Sequence, residues 1–336
     1  MTVPDPKLAP AIRWGILAPG GIAHRFAREI PLYTAGTVVA VGSRRLDRAE
    51  SFVRELYGAG SPTRAYGSYE ELVAQPDIDA IYVASPHSEH HDHAILALEA
   101  GKPVLVEKAF TLNRRQAEEV FAVARRQGLF AMEAMWSRQL PHYAALRQLI
   151  AGGELGEIQG VVAVHAQSLG LDPAGRMMNP ALGGGALLDL GVYPLSLIHF
   201  LLGVPASISA TGVLTASGVD LRETVTCQYG AAQAVAYNDM ASDGSCTVQI
   251  LCRGGRIESA DRFYTPQNLV VTPLDGSPRT LPTATEGGFQ YQAAEVARCL
   301  AANRTESDLM TWQDTLDVMG MMDEVRRQVG VRYAVD

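Results

Sequence analysis

The sequence predicts an α/β chain in two parts: a doubly wound parallel sheet over residues 1–133, then an α+β unit over 134–336 built on an open, mostly antiparallel sheet. Three observations predict this. A chain of 336 residues exceeds the size at which a single core keeps growing, so two units are expected. Up to about residue 133, apolar runs alternate with amphipathic stretches of helical length, which is the pattern of βαβ units. Beyond residue 134 short β-like stretches follow one another across turn signals, which is the pattern of an antiparallel sheet.

In the first part, the apolar runs 12–17, 37–41, 78–84, 103–107 and 129–132 read as strands, and 22–30, 48–57, 90–100 and 114–127 as helices. Their crossovers are expected to be right-handed. In the second part, 160–166, 208–215, 223–229, 233–237, 246–252 and 269–273 read as strands, with Ser242-Asp243-Gly244 and Arg253-Gly254-Gly255 as turns. Helices at 290–301 and 311–328 close the chain.

Composition narrows the function. The chain is 47% hydrophobic and 19% charged, with a formal net charge of -8. That balance argues against a broad nucleic-acid face, which needs clustered positive charge. A small-molecule partner is expected. The opening MTVPDPKLAP does not read as a secretory leader, and no run reaches the roughly 18 apolar residues of a membrane helix. Cys227, Cys246, Cys252 and Cys299 are scattered without C-x-x-C spacing, which suits reduced thiols in a cytoplasm and not a zinc site.

Residues 15–23 read GILAPGGIA between the first strand and the first helix. The dinucleotide fingerprint G-x-G-x-x-G/A uses its first glycine for the turn, its second for the pyrophosphate and its third for helix packing. Those positions hold Ala18, Gly20 and Ala23. A positive φ at Ala18 would cost about 1–2 kcal/mol, while Pro19 stiffens the turn and Gly20-Gly21 allow close approach to a phosphate. The second strand ends in Ser43-Arg44-Arg45 with no acid to accept a ribose 2'-hydroxyl. A hydroxyl and a guanidinium can instead bind a 2'-phosphate, each such bond contributing roughly 1.5–3 kcal/mol. NADP is therefore expected over NAD.

Two further stretches carry polar groups in unusual settings. Lys108, in GKPVLVEKAF at 101–110, stands at the carboxyl end of a parallel strand, where such sheets bind ligands. Residues 182–194, LGGGALLDLGVYP, place Asp189 and Tyr193 four apart behind three glycines, so on a helix they share a face. An N-terminal cap would explain Asp189 but not Tyr193. His87, His90, His91 and His93 include a helical i, i+4 pair, but spacing alone is weak evidence and no metal is expected.

These motifs, in this order and spacing, resemble the Gfo/Idh/MocA oxidoreductase superfamily, in its branch of dimeric dihydrodiol dehydrogenases and NADP-dependent D-xylose dehydrogenases. The resemblance runs from Ile12 to Tyr333 and includes ASPHSEHHDHAILALEAGKPVLVEKAF, AMEAMWSR and MMDEVRRQVGVRY. It implies a Rossmann domain that binds the cofactor, followed by a substrate-binding domain whose open sheet forms a homodimer. It implies catalytic roles for Lys108, Asp189 and Tyr193, and cofactor contacts from Ala18, Pro19, Gly20, Gly21, Ile22, Ser43, Arg44, Ser85, His87, His90, Glu107 and Lys108. Trp136, Arg138, Arg176 and Tyr193 would bind the substrate. Ala109 stands where the family usually has proline.

The expected reaction moves a hydride between NADP(H) and a secondary alcohol or carbonyl of a sugar or cyclic trans-diol. Tyr193 is the expected acid/base, its pKa drawn down by Lys108, and exchange of those two roles is nearly as plausible. An NAD-assisted glycoside hydrolase and a non-catalytic NADP sensor are the competing readings.

Overall fold

The computed structural model describes residues 3–336. Its first sheet is formed by β1 (Arg13–Leu17), β2 (Thr37–Gly42), β3 (Arg64–Tyr66), β4 (Ala80–Val83), β5 (Val104–Glu107) and β6 (Ala131–Ala134). They pair in the order β3-β2-β1-β4-β5-β6, all parallel. The helices are α1 (Gly21–Tyr33), α2 (Leu46–Tyr57), α3 (Tyr69–Val73), α4 (His90–Glu99) and α5 (Arg114–Gln127). Every residue of β4, β5 and β6 is buried, which is why these strands read as continuous apolar runs.

Sequence periodicity missed β3 and α3, which at three and five residues are too short to display one. It also set the last strand two residues early. Gly128 closes α5 in the left-handed conformation and the Leu129 N–H donates to the Ala124 carbonyl, so the strand begins only at Ala131.

The second sheet follows α6 (Pro141–Gly152). Its strands are β7 (Ile158–Ala166), β8 (Ser207–Leu214), β9 (Asp220–Tyr229), β10 (Ala232–Asp239), β11 (Val248–Cys252), β12 (Gly255–Ser259), β13 (Leu269–Pro273) and β14 (Arg279–Leu281). The order is β14-β13-β12-β11-β7-β10-β9-β8, antiparallel except for the β7–β10 pair. Helix α7 (Val192–Leu202) packs against β7 and β10 on the inner face. Sequence reading did not foresee α6, β12 or β14. The Arg253-Gly254 turn is the tip of a hairpin that pairs Cys252 with Gly255, so a strand continues beyond it.

The chain then returns to the first sheet. Helix α8 (Phe289–Ala301) packs on α1, and α9 (Trp312–Val329) packs on α5, α7 and β8. The Ala131 N–H donates to the Thr305 carbonyl (3.1 Å) and the Trp312 indole N–H to the Ala131 carbonyl (2.9 Å). This segment occupies the free edge of β6, where unpaired backbone would otherwise invite association. The stretch Pro180–Leu202 is apolar and long enough to cross a membrane by composition, contrary to the expectation that no such run exists, but 78% of its most apolar window is buried inside the fold.

Candidate active site

The loop from β1 to α1 opens the site. Ala18 adopts φ +73°, the left-handed conformation that is costly for alanine. Its N–H donates to the Gly42 carbonyl at 3.1 Å, and the Gly20 N–H donates back to the Ala18 carbonyl at 3.0 Å. No side chain caps the N-terminus of α1, so its first N–H groups remain available to an anion. A Cβ on Gly21 would meet nothing within 4 Å, and one on Gly20 only the Ala84 carbonyl at 3.8 Å. The open space beside these glycines fits a bound pyrophosphate.

Two cavities meet at Gly20, Ala84 and Pro86. One of about 460 Å³ is lined by Ala18, Pro19, Ser43, Arg44, Arg45, Arg48 and Tyr69. Arg44 is largely exposed and pairs with Glu89 at 3.3 Å, whereas Arg45 is drawn aside to Asp47. Ser43 is buried and its Oγ accepts the Arg45 N–H at 3.3 Å. Sequence reading missed Arg48 and Tyr69; Arg48 lies four residues after Arg44 near the start of α2, a spacing that could have pointed to it.

The other cavity, about 490 Å³, is lined by Gly21, Ile22, Ser85, His87, His90, Glu107, Lys108, Arg176, Asp189 and Tyr193. The Lys108 ammonium, at the end of β5, donates to the Asp189 backbone carbonyl (2.8 Å) and carboxylate (3.3 Å) and stands 5.1 Å from the centre of the Tyr193 ring. The Lys108–Ala109 peptide bond is cis. Arg176 reaches Asp189 Oδ1 at 3.2 Å, and His87 Nε2 lies 3.9 Å from it. Burial alone would raise the Asp189 pKa, but Lys108, Arg176 and His87 more than offset it and hold the carboxyl well below the usual range.

Asp189 does not cap a helix. It sits in a wide π-type turn, Leu187–Gly191, that runs directly into α7 and brings Asp189 and Tyr193 toward the same cleft. Such turns recur at functional sites.

Tyr193 Oη accepts the Trp136 indole N–H at 2.9 Å. Burial first, and then the Glu107 carboxylate, push the Tyr193 pKa well above 10, with the Trp136 bond opposing them. The expected downward pull of Lys108 on this phenol is therefore not what dominates. Tyr193 is held neutral, with its own proton free to be donated. Glu107 accepts the Tyr82 hydroxyl and the Lys108 N–H, and burial raises its pKa to about 7.

Several expected residues are engaged elsewhere. His90 stands between the Ser85 and Ala109 carbonyls (2.8 and 2.9 Å), in the loops after β4 and β5, and its neutral ring donates to one of them. His87 does the same for Gly183 and Lys108 (2.9 and 3.2 Å). Burial lowers His87 to about 3 and His90 to about 4. The Ser85 hydroxyl is bonded to His93 at 2.9 Å.

Trp136 is buried behind Tyr193, against Phe289 and the Arg25 guanidinium, and does not line the cleft. Arg138 is a correction: it is buried and turned away, bonded to Ser196 (2.9 Å), His199 (3.1 Å) and Asp314 (3.2 Å), because these polar partners stand on α7 and α9 behind the site. Sequence reading passed over His165, on β7, whose ring stacks on Tyr264 (4.5 Å) and lies 5.5 Å from Tyr193. Tyr264 lies 4.7 Å from Tyr193, so these three rings form one buried aromatic cluster beside the cleft. Nothing in the irregular segment around Tyr264 signals this. Among the described residues no group of three or more metal-binding side chains occurs.

Residues 12–135 match the family model for the oxidoreductase family, NAD-binding Rossmann fold, and residues 143–258 the GFO/IDH/MocA C-terminal domain. A D-xylose 1-dehydrogenase (NADP(+)) of Hypocrea jecorina is 34% identical over 96% of this chain and 93% of its own. A trans-1,2-dihydrobenzene-1,2-diol dehydrogenase of Sus scrofa is 36% identical over 97% of this chain and 99% of its own. Among solved structures, a 3-ketoreductase from Actinomadura kijaniata in complex with NADP and TDP-benzene is 26% identical with a TM-score of 0.83, covering 96% of this chain and 99% of that one. An aldose-aldose oxidoreductase from Caulobacter crescentus complexed with glycerol has the same fold, with a TM-score of 0.86 at 23% identity and coverage of 96% and 98%. A cleft between a parallel dinucleotide-type sheet and an open antiparallel sheet, with both family models matched in sequence order, places this chain in the GFO/IDH/MocA oxidoreductase family.

Proposed function

We propose that the protein is an NADP(H)-dependent oxidoreductase that transfers hydride between the cofactor and a secondary alcohol or carbonyl of a sugar or cyclic trans-diol. The observation that carries this reading is a pair of adjoining cavities, with Arg44 and Arg48 in one and Lys108, Asp189 and Tyr193 in the other. Bound NADP(H) supplies or accepts the hydride at its nicotinamide. Arg44 and Arg48 would hold the 2'-phosphate, and the α1 N-terminus the pyrophosphate. Releasing Arg44 from Glu89 costs little, because an exposed ion pair contributes only about 0–1 kcal/mol.

At the other end, Tyr193 is the group that donates a proton to a substrate carbonyl during reduction and takes it back during oxidation. Trp136 fixes the position of its oxygen. Lys108, with two N–H groups on Asp189, directs the third to the substrate oxygen and stabilises the charge that develops there. The ring of Tyr193 suits the apolar face of a substrate ring, and Arg176 its hydroxylated edge.

Residues 1–133 would then serve the cofactor, and 134–336 the substrate and a homodimer. The outer face of the second sheet supports the dimer: its centre presents Val162 and Leu251, both substantially exposed, without charge between them. Four free cysteines suit a reducing cytoplasm. The test is a panel of aldopyranoses and trans-diols incubated with NADP+. NADPH formation with at least one of them, lost in Lys108→Ala, is expected. NADPH binding without turnover of any would favour the sensor, and a resident NAD that does not exchange would favour the hydrolase.

A further inference from the structure

Behind the Asp189 turn lies a group of polar side chains that the reaction as described does not use. Asp220, Glu223, Asn238 and Asp239 are all at most 1% exposed, on β9 and β10. Glu223 and Asn238 are cross-strand neighbours. Asp239 is committed elsewhere, to Ser242, Tyr237, the Ala241 N–H and Arg222. Asp220 faces the catalytic segment. Its Oδ2 accepts the Leu187 N–H at 2.5 Å, at the first residue of the π-type turn.

The same segment is held at every step. The Tyr333 hydroxyl donates to the Gly184 carbonyl at 2.9 Å, and His165 Nδ1 lies 3.1 Å from the Leu190 carbonyl. Glycine is required where these groups press in. A Cβ on Gly185, whose φ is +117°, would stand 2.2 Å from Asp220 Oδ1, and one on Gly191 would stand 2.7 Å from Asn238 Nδ2. Asp220 thus touches both the backbone just before the turn and the N–H that opens it.

Two residues further on, the Asp189 carbonyl receives the Lys108 ammonium. We infer that Asp220 is a positioning residue: by accepting the Leu187 N–H and filling the space beside Gly185, it fixes the turn that aims Asp189 at Lys108 and starts α7 so that Tyr193 enters the cleft. Glu223, on the same strand, and Asn238, on the adjoining one, back it. Burial, together with the neighbouring Asp220, pushes the Glu223 carboxyl well above its ordinary range.

The inference rests on the proposed catalytic roles of Lys108, Asp189 and Tyr193, and the test separates the two. Turnover and NADPH affinity are measured for Asp220→Ala, Asp220→Asn and Lys108→Ala, with thermal melting to check folding. Asp220→Ala should lower kcat at least tenfold while the NADPH Kd stays within twofold, because Asp220 touches neither cavity. Asp220→Asn, which keeps an acceptor for the Leu187 N–H, should recover kcat to within threefold. A kcat within twofold of the parent in Asp220→Ala, a parallel loss of NADPH binding, or an Asn variant as impaired as the Ala variant overturns the positioning role. If Asp220→Ala does not fold, Asp220→Ser, too short to reach the Leu187 N–H, is read by the same criteria. An active Lys108→Ala would instead overturn the catalytic reading.

Discussion

At the Arg44 end, the groove takes most of its polar groups from one continuous segment, Ser43 to Arg48, and leaves its arginine in water. At the Lys108 end it draws on separate segments: His87 is buried, the Lys108 and Asp189 side chains are largely so, and Arg176 reaches in from the surface. The difference teaches how each end responds to change. Exposed charges are screened within about 8 Å at physiological salt and act nearly independently. Buried groups share partners: Asp189 alone is contacted by Lys108 and Arg176, with His87 close by. Removing one therefore disturbs all.

The largest effect should come from the buried end. Tyr193→Phe removes the proposed proton donor while keeping the ring, and kcat should fall by roughly two to four decades with the NADPH Kd nearly unchanged. Steady-state kinetics beside a binding titration checks this, and a variant that keeps its turnover would remove Tyr193 from the proton-transfer role. At the exposed end, Arg44→Ala or Arg48→Ala should weaken NADPH binding roughly ten- to a hundredfold, leaving NADH binding and kcat nearly unchanged. Added salt should imitate these variants on NADPH affinity, and equal losses for NADH would break the comparison.

Titration sharpens the contrast further. Burial raises Glu107 and Glu133 to about 7, so the folded protein holds protons that an unfolded chain releases above about pH 4.5. Their contribution to stability is fully present below that pH and is lost as pH rises through 7. Glu133→Gln, outside the cleft, should flatten the fall in denaturation midpoint over this window. A midpoint that climbs as pH rises from 4.5 to 7, equally in both proteins, would contradict it. The smallest effect is Ala18→Gly, which relieves about 1–2 kcal/mol of left-handed strain against about 0.4–1 kcal/mol of added chain entropy. A melting temperature raised by a few degrees at most is expected.

The exposed end was also the more legible one. Ser43-Arg44 and the GILAPGGIA loop are contiguous, so their chemistry can be read from neighbours in sequence, and Ala18 takes the positive φ whose cost that loop raised as a condition. Lys108, Asp189 and Tyr193 lie in stretches whose strand-end and glycine signals are visible, and they meet in the fold. What the sequence hid is direction and partnership. Trp136 and Arg138 are two residues apart, yet one supports Tyr193 and the other turns to α7 and α9. His165 and Tyr264, 99 positions apart, stack only because the fold brings β7 against the segment between β12 and β13. The upward shift of Tyr193 depends on burial and on Glu107, neither of which spacing displays.

The central claim is that one groove holds NADP(H), with its phosphate among the arginines and its reactive end beside Tyr193. Titration of the purified protein with NADPH and with NADH, followed by tryptophan fluorescence, tests it directly, since Trp136 is hydrogen-bonded to Tyr193. The account predicts at least tenfold tighter binding of NADPH, a difference of about 1.4 kcal/mol. Equal affinities for the two, or binding of neither, would contradict it.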